Sequence, residues 1–220
     1  MRNEQFNNKL NIKLAVKAIN AAILNAKSLY EDAEILFNNK KYARSISLSI
    51  LSIEEAGKPS ILRNIILETE DIEIKKLWKS YRKHYDKNLM WILPDLYKNG
   101  ARKLEELKKV VDKNSDHSKT LDNLKQLCFY SDIFEKGICT LPDNIANEEI
   151  AKTILNIAKI SINEVFDTEE SLEIWIKYLK PVWKKEMFKM KLALIDCYKE
   201  LEDKKLIENG KSQDMINFLF

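Results

Sequence analysis

Residues 42–58, Tyr-Ala-Arg-Ser-Ile-Ser-Leu-Ser-Ile-Leu-Ser-Ile-Glu-Glu-Ala-Gly-Lys, restrict the fold more than any other stretch of this chain. On a helical wheel Ala43, Ile46, Ile50, Ile53 and Gly57 form one stripe. Ser45, Ser49, Ser52 and Ala56 form a second, and Leu48 and Leu51 fill the remaining sector. A helix that is apolar or small on every side belongs in an interior, and its small stripe lets a neighbouring backbone come close. Arg44 is its only charge until Glu54, Glu55 and Lys58. At about 100° per residue, Glu54 stands roughly 60° from the centre of the apolar stripe, so at least one carboxylate is expected to point into or along the packed interior, as part of a functional cleft or of a locally paired, solvent-facing helix terminus. Such a group needs partners, because desolvating the ion costs several kcal/mol. Lys58, three and four residues on, is the nearest candidate.

The rest of the chain reads as helices. Ile12, Val16, Ile19, Ile23, Ala26, Tyr30, Ala33 and Phe37 give a long stripe, and Asn38-Asn39 a turn, so the first two helices are expected to form an antiparallel hairpin. Gly57 and Pro59 predict an interruption before Ile61. Ile74, Trp78, Tyr81 and Tyr85 predict a third helix over 71–85 with His84 and Lys87 on its flank. Pro94 and Asn99-Gly100 predict breaks, residues 101–111 a short helix, and 112–119 an exposed loop that includes a solvated His117 without a role. Helices are expected over 120–136, ended by Gly137, over 147–165 with Val165 on its stripe, and from Asp167-Thr168 onward. A last long helix is expected from Pro181 to Gly210. No stretch alternates as a strand, so the fold class is all-α. With no Gly/Ser/Pro linker, the expected organisation is a helical bundle over 1–165 and a C-terminal helical extension over 166–220 packed on the same domain.

Composition and motif searches narrow the chemistry. Net charge is +3, from 37 basic and 34 acidic side chains, too little excess for a strong nucleic-acid binder, so any such contact needs a local patch. No run reaches the roughly 18 apolar residues of a membrane span and the start has no secretion signal, which predicts a cytoplasmic protein with no membrane partner. Three scattered cysteines, without a CxxC pair, suggest neither disulfides nor zinc. The isolated glycines exclude a Walker loop and a dinucleotide fingerprint. No histidine follows a glutamate by three, so a di-metal bundle is not indicated, and no cofactor or metal is expected. What remains is a dispersed polar set on three helices: Glu54, Glu55, Lys58, His84, Lys87, Lys125, Tyr130 and Asp132.

Those residues fall in Glu54-Glu55-Ala-Gly57-Lys58, His84-Tyr-Asp-Lys87 and Lys125-Gln-Leu-Cys-Phe-Tyr130-Ser-Asp132. They follow an Asn-Ala…Leu…Asp-Ala-x-x-Leu…Tyr-Ala-Arg pattern over 25–44. In this register the chain resembles the AbiV family of bacterial abortive-infection proteins, placed in the HEPN group of helical, nucleic-acid-associated domains, over roughly residues 10–165. The resemblance implies a HEPN-like antiparallel bundle that stops growth or translation once a phage has entered. It further implies a homodimer, a phage-encoded protein as trigger, and RNA or the translation machinery as target. Many HEPN relatives are metal-independent ribonucleases with an Arg-x(4–6)-His motif. Here Arg82 stands only two residues before His84 and positions 77–79 hold no arginine, although Lys79 gives a basic-x4-His variant.

Two readings of the polar set follow. In a ribonuclease, Glu54, Glu55 and His84 are the catalytic residues: His84 is general acid or base, and a carboxylate orients it or activates the 2′-hydroxyl. Lys58, Lys87 and Lys125 then hold phosphate, with Tyr130 and Asp132 in support. In a non-catalytic interaction protein the same charges pair to brace the bundle, and the surface binds a phage protein or a translation component.

Overall fold

The serine stripe does what small residues on an interior helix permit. A computed structural model, which describes residues 4–111, 116–162 and 167–220, pairs α1 (Ile12–Asn38) with α2 (Tyr42–Leu67) so closely that serine hydroxyls reach main-chain carbonyls. Ser45 Oγ donates to Ala33 O at 2.8 Å and Ser52 Oγ to Ala26 O at 2.7 Å. As α2 advances seven residues α1 recedes seven, which is the expected antiparallel hairpin. Asn11 caps α1 by accepting the amide of Leu14 at 2.8 Å, and Lys40 takes a positive φ of 59° in the connection.

Around this pair stand α3 (Asp71–Arg82), α4 (His84–Lys87), α5 (Leu93–Lys98), α6 (His117–Phe129), α7 (Pro142–Ile145), α8 (Glu148–Ser161), α9 (Glu169–Leu179), α10 (Met187–Asp203) and α11 (Lys211–Leu219). Short 3-10 turns cover Leu89–Ile92 and Leu104–Val111. Burial divides into two apolar clusters strung along α2. Ala43, Ile46, Ile50 and Ile53 pack with Leu121 and Cys128 of α6 and Ala151, Ile154 and Ala158 of α8. Ile61, Leu62, Ile65 and Ile66 pack with the start of α1, with Ile74 and Trp78 of α3, and with Leu172 of α9 and Cys197 and Leu201 of α10. The charged residues at 54–58 lie on the seam between the two. The C-terminal helices therefore complete the second cluster rather than trail from the first. Among the described residues no helix is long and apolar enough to cross a membrane.

Several expectations are corrected. α2 runs unbroken past Pro59, which is itself buried. Proline lacks an amide proton, but apolar packing on both sides of it holds the helix through the missing bond. The third helix stops at Arg82, because Lys83 is extended (φ −82°, ψ 133°), and a fresh turn, α4, starts at His84. Arg82 donates to Phe6 O at 2.6 Å and to Asn7 Oδ1 at 2.8 Å, tying the N-terminal arm across Trp78. His117 is no loop residue: it opens α6, bonds the carbonyl of Leu89 through Nε2 at 3.1 Å, and offers its own carbonyl to Trp91 Nε1 at 3.1 Å.

α6 ends at Phe129 rather than Lys136, its last carbonyl taken by Arg44 Nη1 at 2.8 Å. The chain then forms a small antiparallel hairpin of β1 (Asp132–Phe134) and β2 (Ile138–Thr140), with Ile133 opposite Cys139. Three residues per strand give no readable alternation. Positions 112–115 and 163–166, which include Val165 of the expected stripe, lie outside the described residues. Thr168 caps α9 through a reciprocal bond with Ser171, as the Asp167-Thr168 start predicts. Pro181 instead sits in a single 3-10 turn (Lys180–Val182), and α10 begins only at Met187. Gly210, with φ 91°, starts α11 and does not end α10. Burial pushes the Cys128 thiol up to about 11 and Cys197 up to about 12, as befits packing residues, whereas Cys139 is exposed on the hairpin.

The displaced turn before α10 has its own function in the fold. Lys184 adopts φ 57° and pairs with Glu68, the C-cap of α2, at 2.6 Å, while Trp183 Nε1 donates to the same carboxylate at 3.2 Å. Burial alone raises the Glu68 pKa. Lys184, the amides of Thr69 and Glu70, and Trp183 outweigh it and bring it down to about 2. A carboxylate held below its unfolded value stabilises the fold above that value, and the contribution is lost as pH falls from about 4.5 to about 2. Glu68→Gln is therefore expected to cost about 1–3 kcal/mol at neutral pH and almost nothing near pH 2, read by urea unfolding at both. An equal loss at both pH values refutes the assignment.

Candidate functional site

Glu54 is 1% exposed, and each of its oxygens is spoken for. Oε1 accepts from Lys125 Nζ at 2.6 Å. Oε2 lies 2.6 Å from His84 Nδ1 and 3.6 Å from Lys87 Nζ. Lys125 in turn reaches Asp122 at 2.7 Å, one turn earlier on α6. Three elements thus meet at the seam of the core. α2 brings the carboxylate because its interior stripe continues through position 54. α6 brings Lys125 because Leu121 and Cys128 of the same helix are buried against α2. α4 brings the imidazole and Lys87 because the break at Lys83 redirects the chain.

Gly57 makes that approach possible. A Cβ at this position would fall on the carbonyl oxygen of Lys87, well inside van der Waals contact, so only glycine lets α4 lie directly on α2. His84 is the half-open member of the group: its side chain is 50% exposed while Glu54 is sealed beneath it. Among the described residues Nε2 of His84 has no hydrogen-bond partner. A buried carboxylate accepting from Nδ1 fixes the ring's orientation and tautomer, which leaves Nε2 as the nitrogen without its proton. Burial lowers the pKa of Lys87, an effect that Glu54 opposes.

Lys58 does not pair with Glu54. It binds Glu55 at 2.5 Å and lies over the Tyr81 ring, 5.1 Å from its centroid, so Glu55 and Lys58 form a second pair at the edge of the group. Tyr130 and Asp132 stand apart. Both are exposed beyond the end of α6 and line a separate cleft with Asn123, Gln126 and Phe134, and Asp132 Oδ1 accepts the amide of Ile133 at 2.7 Å. Asp122 is the member that reading the chain missed. Its signal was available as an acid three residues before Lys125, on the same helix face. Glu54, His84 and Asp122 also offer three ligand atoms within 4.8 Å of one another. The Lys125 ammonium pairs with both carboxylates.

The family model described as AbiV, a HEPN model, matches residues 14–163. The chain belongs to the AbiV family. The matched span runs from the start of α1 to just past α8, and so contains all of the site-bearing elements α2, α4 and α6 of this AbiV-family chain. No curated protein and no solved structure matches it.

Proposed function

We propose that this AbiV-family protein is a cytoplasmic abortive-infection effector, which arrests growth or translation in a phage-infected cell by cutting RNA through His84. Family membership supports the phage-defence role. The observation that carries the chemistry is the 2.6 Å contact from buried Glu54 to His84 Nδ1 beneath a half-exposed ring. In that arrangement His84 Nε2 takes the proton of a ribose 2′-hydroxyl, whose oxygen bonds to the adjacent phosphorus as the P–O5′ bond breaks; the 5′-oxygen leaves with a proton from water, and a 2′,3′-cyclic phosphate remains. Glu54 positions the ring by accepting its Nδ1–H. Lys87 and Lys58 supply positive charge for the phosphate, and Glu55 holds Lys58 in place. A phage-encoded protein is the proposed trigger and a homodimer the working form.

The test is RNA profiling after expression of wild type beside His84→Ala. Discrete cleavage products and growth arrest are expected from wild type and neither from the variant. Because Glu54 keeps Lys125 and Lys87 when the imidazole is removed, the substitution should cost only about 1–2 kcal/mol of stability, checked on purified protein by thermal unfolding. Arrest that persists with intact RNA overturns the reading.

One observation favours a second reading. Tyr130, Ile133, Phe134 and Ile138 are large, apolar and exposed around the hairpin, a surface suited to a phage protein or a translation component. In that case Ile133→Asp should abolish arrest while His84→Ala leaves it intact.

A further inference from the structure

A cleft of about 630 Å³ opens beside the ion cluster, walled by Ile53, Ala56 and Gly57 of α2, by Leu93 and Tyr97 of α5, and by Ile160 of α8. Its size falls within the range of small-ligand sites, roughly 300–1,000 Å³, and its walls are mostly apolar with a few polar groups. Lys87 lines it and also faces Glu54, so it belongs to both the cleft and the cluster that holds His84. Resting on the ribonuclease reading above, we infer that this cleft is the base-binding subsite: it receives the nucleobase next to the scissile phosphate, which then lies between Lys87 and His84.

Three features select a flat heteroaromatic ring with an attached anion. Tyr97 lines the cleft, is largely exposed, and carries the Arg102 guanidinium over its ring, 3.7 Å from the centroid. Arg102 is itself held by the Tyr97 and Ala101 carbonyls at 2.6 and 2.9 Å, so the platform is braced and positively charged. The Ser60 and Ser161 hydroxyls in the cleft wall donate to the carbonyls of Gly57 and Ile157, both within 2.9 Å. Their oxygens keep lone pairs for exocyclic amino groups of a base. Finally, Lys87 is the cationic wall residue among those described, and because it also faces Glu54 it puts the phosphate of a bound nucleotide on the cluster side.

The test uses His84→Ala protein, so that binding is read apart from cleavage, with adenosine 5′-monophosphate, ribose 5-phosphate and decanoate in calorimetric titrations. Adenosine 5′-monophosphate should bind at least tenfold more tightly than ribose 5-phosphate. Tyr97→Ala, at an exposed position that does not support the core, should weaken it about tenfold, the loss of one stacked base. Equal affinity for the base-free sugar phosphate, tighter binding of decanoate, or no effect of Tyr97→Ala overturns the subsite. Selective nucleotide binding with intact cellular RNA would leave the cleft a nucleotide site and remove the ribonuclease reading. Cleavage by a wild-type protein that fails the nucleotide test would do the reverse.

Discussion

Glu54→Ala is expected to lower the stability of the protein by about 3–5 kcal/mol, read from the midpoint of urea unfolding at constant slope. The reason is less the loss of a contact than what it strands. Lys125 is 3% exposed, and without Glu54 its ammonium keeps only Asp122 while still sealed under α2. Removing one member of a buried pair leaves a charge that water cannot reach, which costs far more than the intact pair contributes. The double variant Glu54→Leu with Lys125→Met removes both charges, and should recover most of the loss while abolishing function. If the double variant is as unstable as Glu54→Ala, the cluster is not energetically coupled as described. Set beside the small cost of His84→Ala, the contrast separates the group that holds the fold from the group that faces the solvent.

Gly57→Ala should be the second severe change, and its sign is the informative part. In an ordinary helix the substitution gains about 1 kcal/mol from propensity. Here the added methyl lands on the Lys87 carbonyl, a backbone atom that no side-chain rotation can move aside. Relief requires α4 to lift from α2, which draws His84 and Lys87 away from Glu54. The expected result is a net loss of about 1–3 kcal/mol together with loss of growth arrest, while far-UV circular dichroism stays helical. A variant that is stabilised and still arrests growth would show that α4 does not sit on Gly57.

Much of this architecture could be read from residue spacing. The interior character of α2 follows from its three wheel sectors, and its small stripe permits the close approach of a neighbouring backbone, which proves to be α1. The inward turn of Glu54 follows from the same wheel. Its partners do not, because pairing depends on which distant elements arrive there. Lys58, the near neighbour, takes Glu55, while Glu54 is satisfied by Lys125 and His84, from residues 71 and 30 positions away. The break at Lys83 was also hidden, since the aromatic seam of Ile74, Trp78 and Tyr81 continues in register to Tyr85. Nothing local forbids helix at Lys83; the tertiary demand of seating His84 over Glu54 outweighs the propensity to continue. Pro59 misled in the opposite direction, because two apolar clusters grip α2 on either side of it. The hairpin after α6 was illegible for a simpler reason: strands of three residues carry no period.

The hydroxyls of Ser45 and Ser52 have a consequence for control. Each is latched to a particular carbonyl of α1, so sliding the two long helices past each other by a single residue would unlatch both at once. Displacement along the hairpin axis is therefore a poor lever for switching the protein on. The four-residue turn carrying the imidazole has no such latch to α1: it rests on the bare backbone of Gly57, and its half-exposed ring is reached from outside. A trigger that levers this turn up or presses it down could work the protein while its long helices stay still.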